Sequence, residues 1–201
     1  MSSSALAIVL HQLFFQGMFF AKNLLLGRKL GKPVRGKNIE ATVSIVFFAI
    51  FIGLAIYLAS GDDAVGSLSL LPDWLAQAAG YLLMFVSIGI ALASLLHLGD
   101  SWRVGVIDEQ VTQLVKGGIY GFSRNPYFLA YLLTFAAYTV LLQNVLLLSL
   151  SLVGFSMIHL MVRAEEVYLS DVHGEEYRQY QRGVARYLGF KFVRRRKQNA
   201  P

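Results

Sequence analysis

Five long apolar runs separated by short polar connections occupy most of this chain, and they leave it few ways to fold. They cover residues 5–26, 41–59, 74–98, 127–142 and 145–162. A membrane-crossing helix needs about 20 mainly apolar residues. Lipid offers a backbone N–H or C=O no partner outside its own helix, so each run is expected to be helical. With 56% hydrophobic and 15% charged residues, the chain has too little polar surface to coat a soluble globule. The expected fold is all-α and integral to the membrane, with five transmembrane helices. Only Gln143 and Asn144 separate the last two runs, so those should form a helical hairpin. The first run carries His11, Gln12, Gln16 and Lys22 and lacks a small-residue cleavage site, which argues for a permanent helix over a removed signal peptide.

Charge orients the helices. The first connection holds Arg28, Lys29, Lys32, Arg35 and Lys37, the second holds Asp62, Asp63 and Asp73, and the tail after the fifth run is again basic. Basic loops stay in the cytoplasm, which places the N-terminus outside and the C-terminus inside, in an orientation suited to a bacterial inner membrane. The net charge of +6 then reads as attraction to anionic headgroups, because the basic clusters abut membrane helices, and nucleic acid is not an expected partner.

Several chemistries are excluded. Cysteine is absent, which removes disulfides, thiolate nucleophiles and cysteine metal sites. The histidines, His11, His97, His159 and His173, lack ligand spacing, so no metal is expected. No glycine-rich dinucleotide fingerprint, phosphate loop or GxSxG elbow occurs.

Polar residues cluster in two places flanking the expected hairpin. The connection 99–126 contains a segment at 104–106 that looks extended, a turn signal at 108–110, and then GGIYGFSRNP. Gly117 and Gly118 permit close approach or positive φ. Pro126 reads as a first-turn proline and Asn125 as a cap. Arg124 would stand beside a helix N-terminus, where exposed N–H groups attract anions. Arg103, Lys116 and Arg124 equally suit ordinary juxtamembrane cations, and Trp102 an interfacial anchor. In the second cluster, no glycine or proline interrupts residues 155–173, so the fifth helix should leave the membrane as one rod bearing Arg163, Glu165 and Glu166. Neighbouring carboxylates point about 100° apart on a helix, so one can face a pocket while the other faces solvent or an arginine. After Gly174 a second amphipathic helix is expected to carry Tyr177, Tyr180 and Val184 on one side. Arg178, Arg182 and Arg186 would lie on another, against headgroups. The tyrosines suit interfacial anchoring or a cofactor clamp.

Taken together, these residues resemble the isoprenylcysteine carboxyl methyltransferases and their phospholipid N-methyltransferase relatives. Leu114, Val115, Gly118, Tyr120, Arg124 and Pro126 match the first family stretch. Glu165, Glu166, Leu169, Gly174, Tyr177, Tyr180, Val184 and Arg186 match the second, so the likeness spans residues 98–188. Asn125 stands where the family usually has histidine and Phe128 where it has tyrosine, as in the RNPxF variant of bacterial members. The resemblance implies a membrane methyltransferase that binds S-adenosyl-L-methionine in a cytoplasmic pocket completed by the C-terminal amphipathic helix, with a lipophilic acceptor entering from the bilayer. It implies cofactor contacts from Gly118, Tyr120, Arg124, Asn125, Pro126, Phe128, Leu129, Glu165, Glu166, Tyr177 and Tyr180. By position, Arg103 and Arg163 flank that pocket and are the expected catalytic residues, holding an anionic acceptor.

Methyl transfer from a sulfonium needs alignment and exclusion of water more than a side-chain nucleophile. The expected organisation is three N-terminal helices over 1–98, a catalytic region over 99–190 and a basic tail over 191–201. The acceptor, whether carboxyl, amine or thiol, is not encoded in any motif, although His11, Gln12 and Gln16 offer a polar face along its route. Competing readings are an NADPH-dependent reductase of the sterol-reductase type and a non-catalytic membrane scaffold. Gly80, Ser87 and Ser94 form a small-residue stripe suited to packing within or between monomers.

Overall fold

The computed structural model describes residues 2–31, 39–61, 66–102 and 113–188. Its elements are α1 (Ser3–Leu30), α2 (Ile39–Ser60), α3 (Asp73–Leu98), α4 (Pro126–Leu142) and α5 (Val145–Gly183), with short 3₁₀ turns at Gly99–Ser101 and Gly118–Gly121. Among the described residues there is no strand; Ser67 and Asn144 form an isolated bridge.

Four helices, α1, α2, α3 and α5, are long and apolar enough to cross a membrane. α4 is apolar but has 17 residues. At about 1.5 Å rise per residue that is about 25 Å, the short end of what a bilayer core of about 30 Å accepts. The outward faces carry Leu13, Phe14, Phe85, Leu152 and Leu160, as expected of surfaces solvated by acyl chains.

The ends of the helices are set locally. Ser2 caps α1, its Oγ accepting from Ala5 N at 3.1 Å while donating to the carbonyl of Ala59, which ties the start of α1 to the end of α2. Gln143 turns the α4–α5 hairpin in the left-handed region (φ 42°), and Asn144 caps α5 by accepting from Leu146 N at 2.9 Å. The two turn residues also hold the α2–α3 connection. Gln143 accepts from Leu71 N and donates to Leu71 O, and Val145 N donates to Gly66 O.

The most extensive helix pairing joins α3 and α4. At Gly80 the helices approach so closely that a Cβ would lie 2.7 Å from the Leu141 Cβ and 3.2 Å from the Ala137 carbonyl. Ser87 and Ser94 are fully buried, their hydroxyls returned to the carbonyls of Met84 and Ile90 in their own helix. The small-residue stripe is therefore closed inside the chain. One apolar core joins the start of α1 to α2, α4 and α5 around Phe51, Phe135 and Tyr138, and a second joins the later half of α1 to α3, Trp102 and Tyr127. Trp102, expected at the interface, is buried here, edge-on to Tyr127 with its Nε1 donating to Asn23 at 2.8 Å.

α5 runs unbroken past its apolar stretch to Gly174, whose backbone (φ 56°, ψ −129°) breaks the helix before it continues to Gly183. The expected rod and second helix are both present. The apolar stretch ends at Val162, so Glu165 and Glu166 stand just beyond it.

Candidate functional site

The charged site lies where α4 begins and α5 leaves the apolar layer. Pro126 occupies the first turn of α4 and Asn125 its N-cap position, yet Asn125 makes no side-chain cap bond. Its Nδ2 donates instead to Glu166 Oε1 and to the Arg186 carbonyl, both at 3.1 Å. Helix capping, expected from the sequence, yields to a carboxylate that is only 4% exposed and must collect donors from every side.

Glu166 collects three hydrogen bonds and one further ion-pair contact. Arg124 Nη2 and Asn125 Nδ2 reach Oε1 at 3.0 and 3.1 Å, while Arg186 Nη2 and Nε reach Oε2 at 2.9 and 3.1 Å. The position of Arg186 corrects the expectation that it would lie against headgroups with Arg178 and Arg182. Those two stay outside with Glu175. The helix ends at Gly183, Val184 is extended (φ −120°, ψ 139°), and the chain doubles back so that Arg124 N donates to Ala185 O at 2.9 Å. Ser123 Oγ donates to Arg186 O and accepts from Asn125 N. Residues 184–188 therefore form a strap against the start of α4.

Glu165 differs from its neighbour. It is half-buried and has no hydrogen bond or ion pair among the described residues, and burial, reinforced by the Glu166 charge, pushes its carboxyl up to about 7. One more atom stands out: Arg124 Nε is buried without a hydrogen-bond partner among the described residues. Two guanidiniums thus share one carboxylate, leaving excess positive charge, while among the described residues one guanidinium donor and the carboxylate adjacent in sequence, Glu165, have no hydrogen-bond partner. That combination suits a ligand carrying both an anionic and a cationic group.

Aromatic groups wall the site. Tyr177 and Tyr180 are 1% and 8% exposed, which makes them interior residues. Tyr180 Oη donates to Tyr120 O at 2.6 Å. Burial raises the phenols of Tyr120, Tyr177 and Tyr180, so all three stay protonated. Gly118 opens the 3₁₀ turn that carries Tyr120 with φ 60°, and the His97 ring presses on it so closely that a Cβ would sit 1.9 Å from Cδ2. Only glycine meets both conditions.

The remaining site candidates scatter more widely. Pro126 and Leu129 are buried and Phe128 packs partly into the apolar core. Arg163 is exposed and makes no ion pair among the described residues, and Arg103 lies outside them, as do the extended segment and turn expected at 104–110. Lys116 pairs with Glu176 at 2.7 Å on the surface. Sequence reasoning missed Ser123 and the inward turn of Arg186. No periodicity marks the first, and the second follows from the helix ending three residues earlier. Among the described residues no cluster of His, Asp and Glu could hold a metal.

A second buried polar cluster lies within the bundle and carries no charged residue. Ser87 Oγ donates to Met84 O at 2.8 Å, so His11 Nε2 must donate to Ser87 Oγ at 2.9 Å. His11 Nδ1 then accepts from Tyr138 Oη at 2.7 Å, and Tyr138 accepts from Gln12 Nε2 at 2.7 Å. Gln16 Nε2 donates to Gln12 Oε1 at 3.3 Å and completes a one-directional chain. It ends on a backbone carbonyl with a neutral imidazole in its middle.

The family model for phospholipid methyltransferases matches residues 75–176. The matched stretch takes in α3, α4, Arg124, Glu165 and Glu166, and stops before Tyr177, Tyr180 and the strap. No curated protein matches the chain.

Proposed function

Because the chain belongs to the phospholipid methyltransferase family, and so to integral membrane methyltransferases, we propose that it transfers the methyl group of S-adenosyl-L-methionine to a lipophilic small molecule or lipid. The observation that carries the reading is that, among the described residues, a buried donor, Arg124 Nε, and a carboxylate, Glu165, are both left without a hydrogen-bond partner. The amino-acid end of S-adenosylmethionine is a zwitterion that needs both. Its carboxylate suits Arg124 and the N-terminus of α4, and its ammonium suits Glu165. Tyr120, Phe128, Leu129, Tyr177 and Tyr180 supply aromatic and aliphatic surface for the adenine, with Gly118, Asn125 and Pro126 shaping the backbone beside it. Glu166 acts through Arg124.

When bound, the cofactor supplies an electrophilic methyl on a sulfonium. The chain's own residues hold and orient, and the buried tyrosines keep water away. Arg103 and the exposed Arg163 are proposed to receive an anionic acceptor arriving from the bilayer. The proposed topology has five crossings, with the N-terminus outside and the site in the cytoplasm of a bacterial inner membrane. A short α4 is compatible with this because its N-terminus opens into the site.

Calorimetric titration of the purified protein in detergent tests the reading. S-adenosylhomocysteine should bind and NADPH should not. Binding of NADPH alone would favour a reductase, and binding of neither would leave a scaffold.

A further inference from the structure

We propose that Arg186 is a positioning residue for the methyl-transfer site: by occupying Glu166 Oε2 it keeps Arg124 from closing on that carboxylate and so leaves Arg124 Nε open to the cofactor. The inference rests on the cofactor reading above, since it assigns a consequence to the donor that reading uses.

The geometry is specific. An arginine facing a carboxylate alone settles side-on, with Nε and one Nη each taking an oxygen. Arg124 does not. Its Nη2 lies 3.0 Å from Glu166 Oε1 as an ion pair, and among the described residues its buried Nε has no hydrogen-bond partner although the side chain is 7% exposed. The oxygen that would receive Nε is Oε2, and Arg186 holds it through both Nε and Nη2 at 3.1 and 2.9 Å. Asn125 adds a second donor to Oε1 and binds the Arg186 carbonyl, which fixes the strap carrying this second arginine. Ala185 O and Ser123 Oγ hold the same segment. Removing the Arg186 guanidinium frees Oε2, and Arg124 then adds a hydrogen bond to its ion pair by rotating its Nε inward. The buried ion pair survives that change, and the open donor is lost.

This separates the role from simple support, because the damage must pass through Arg124. S-adenosylhomocysteine affinity is measured by calorimetry in detergent for wild type, Arg186→Leu, Arg186→Lys, Arg124→Gln and the double variant Arg124→Gln/Arg186→Leu. Arg186→Leu should bind about tenfold or more weakly, the cost of one charged hydrogen bond. Arg186→Lys can still place one charged donor on Oε2, although it loses the planar two-point contact, and should bind more tightly than Arg186→Leu. In the Arg124→Gln background, Arg186→Leu should cost nothing further. Unchanged binding in Arg186→Leu, equal loss in Arg186→Lys, or an undiminished second loss in the double variant overturns the inference. If Arg186→Leu does not fold, Arg186→Gln enters the same cycle with the same criteria. Absence of S-adenosylhomocysteine binding in wild type overturns the cofactor reading, and this inference with it.

Discussion

Two buried polar clusters in this protein obey opposite rules. In the bundle, His11, Gln12, Gln16, Ser87 and Tyr138 form a neutral chain in which each donor meets an acceptor and the last hydroxyl ends on Met84 O. At the end of the apolar layer, Arg124, Asn125, Glu166 and Arg186 form an ionic knot with an odd charge count and, among the described residues, one donor left over. A saturated network in a low-dielectric interior joins helices and has nothing left to bind with. An unsaturated one costs stability unless something else completes it. The difference teaches where to look for a ligand: at the cluster whose bonds do not balance, even though the intramembrane cluster holds a histidine and more polar side chains.

The comparison breaks most visibly at Glu166. Removing its charge strands two guanidiniums, and breaking a buried pair in this way costs about 3 to 5 kcal/mol. Glu166→Gln should therefore show the largest fall in apparent melting temperature in detergent. Glu165→Gln should fall less, because that carboxylate has no partner among the described residues to lose.

Affinity should rank the two acids differently. Losing a charged hydrogen bond to the cofactor ammonium costs about 1.5 to 3 kcal/mol, or about tenfold to more than a hundredfold. Glu165→Gln should show that loss in S-adenosylhomocysteine titrations while melting near wild type. Unchanged affinity in this variant would return Glu165 to the solvated surface.

The raised carboxyl of Glu165 gives the next effect, in two opposite directions. Burial holds it near 7 in the folded chain against an ordinary value of 4.5. The protonated form is thus favoured by folding, and this stabilisation is present below about 4.5 and lost as pH rises through about 7. Ligand binding needs the ionised form, so S-adenosylhomocysteine affinity should rise over the same window. Titrations from acid to mildly alkaline buffer should show the rise in wild type and a flat profile in Glu165→Gln.

The smallest effect belongs to the neutral chain. Tyr138→Phe removes the hydroxyl linking Gln12 to His11, and bonds between membrane helices are worth about 0.6 kcal/mol on average and at most about 1.7. A modest fall in melting temperature with unaltered S-adenosylhomocysteine affinity is expected. A large affinity loss would show that the two clusters are coupled and that the contrast between them is too sharp.

Much of this was legible in one dimension. Apolar runs of membrane length dictate helices because lipid leaves the backbone no other partner, and Gln143 with Asn144 leaves room only for a hairpin turn. Gly118, Pro126 and the break at Gly174 act through local backbone geometry, which sequence states directly. The adjacent acids at 165 and 166 could be seen to diverge, since helical periodicity alone separates them.

Which acid is spent and which is open was decided only by the fold. Glu166 faces Arg124, Asn125 and Arg186, residues 20 to 42 positions away in the chain, and no local rule brings them together. Arg186 illustrates the reason most clearly. Its four-residue spacing from Arg182 places it on a headgroup-facing stripe for as long as the helix continues, and the helix stops at Gly183. Periodicity describes a helix and falls silent where the chain leaves it. The buried carboxylate, not the pattern, then determined where that guanidinium went.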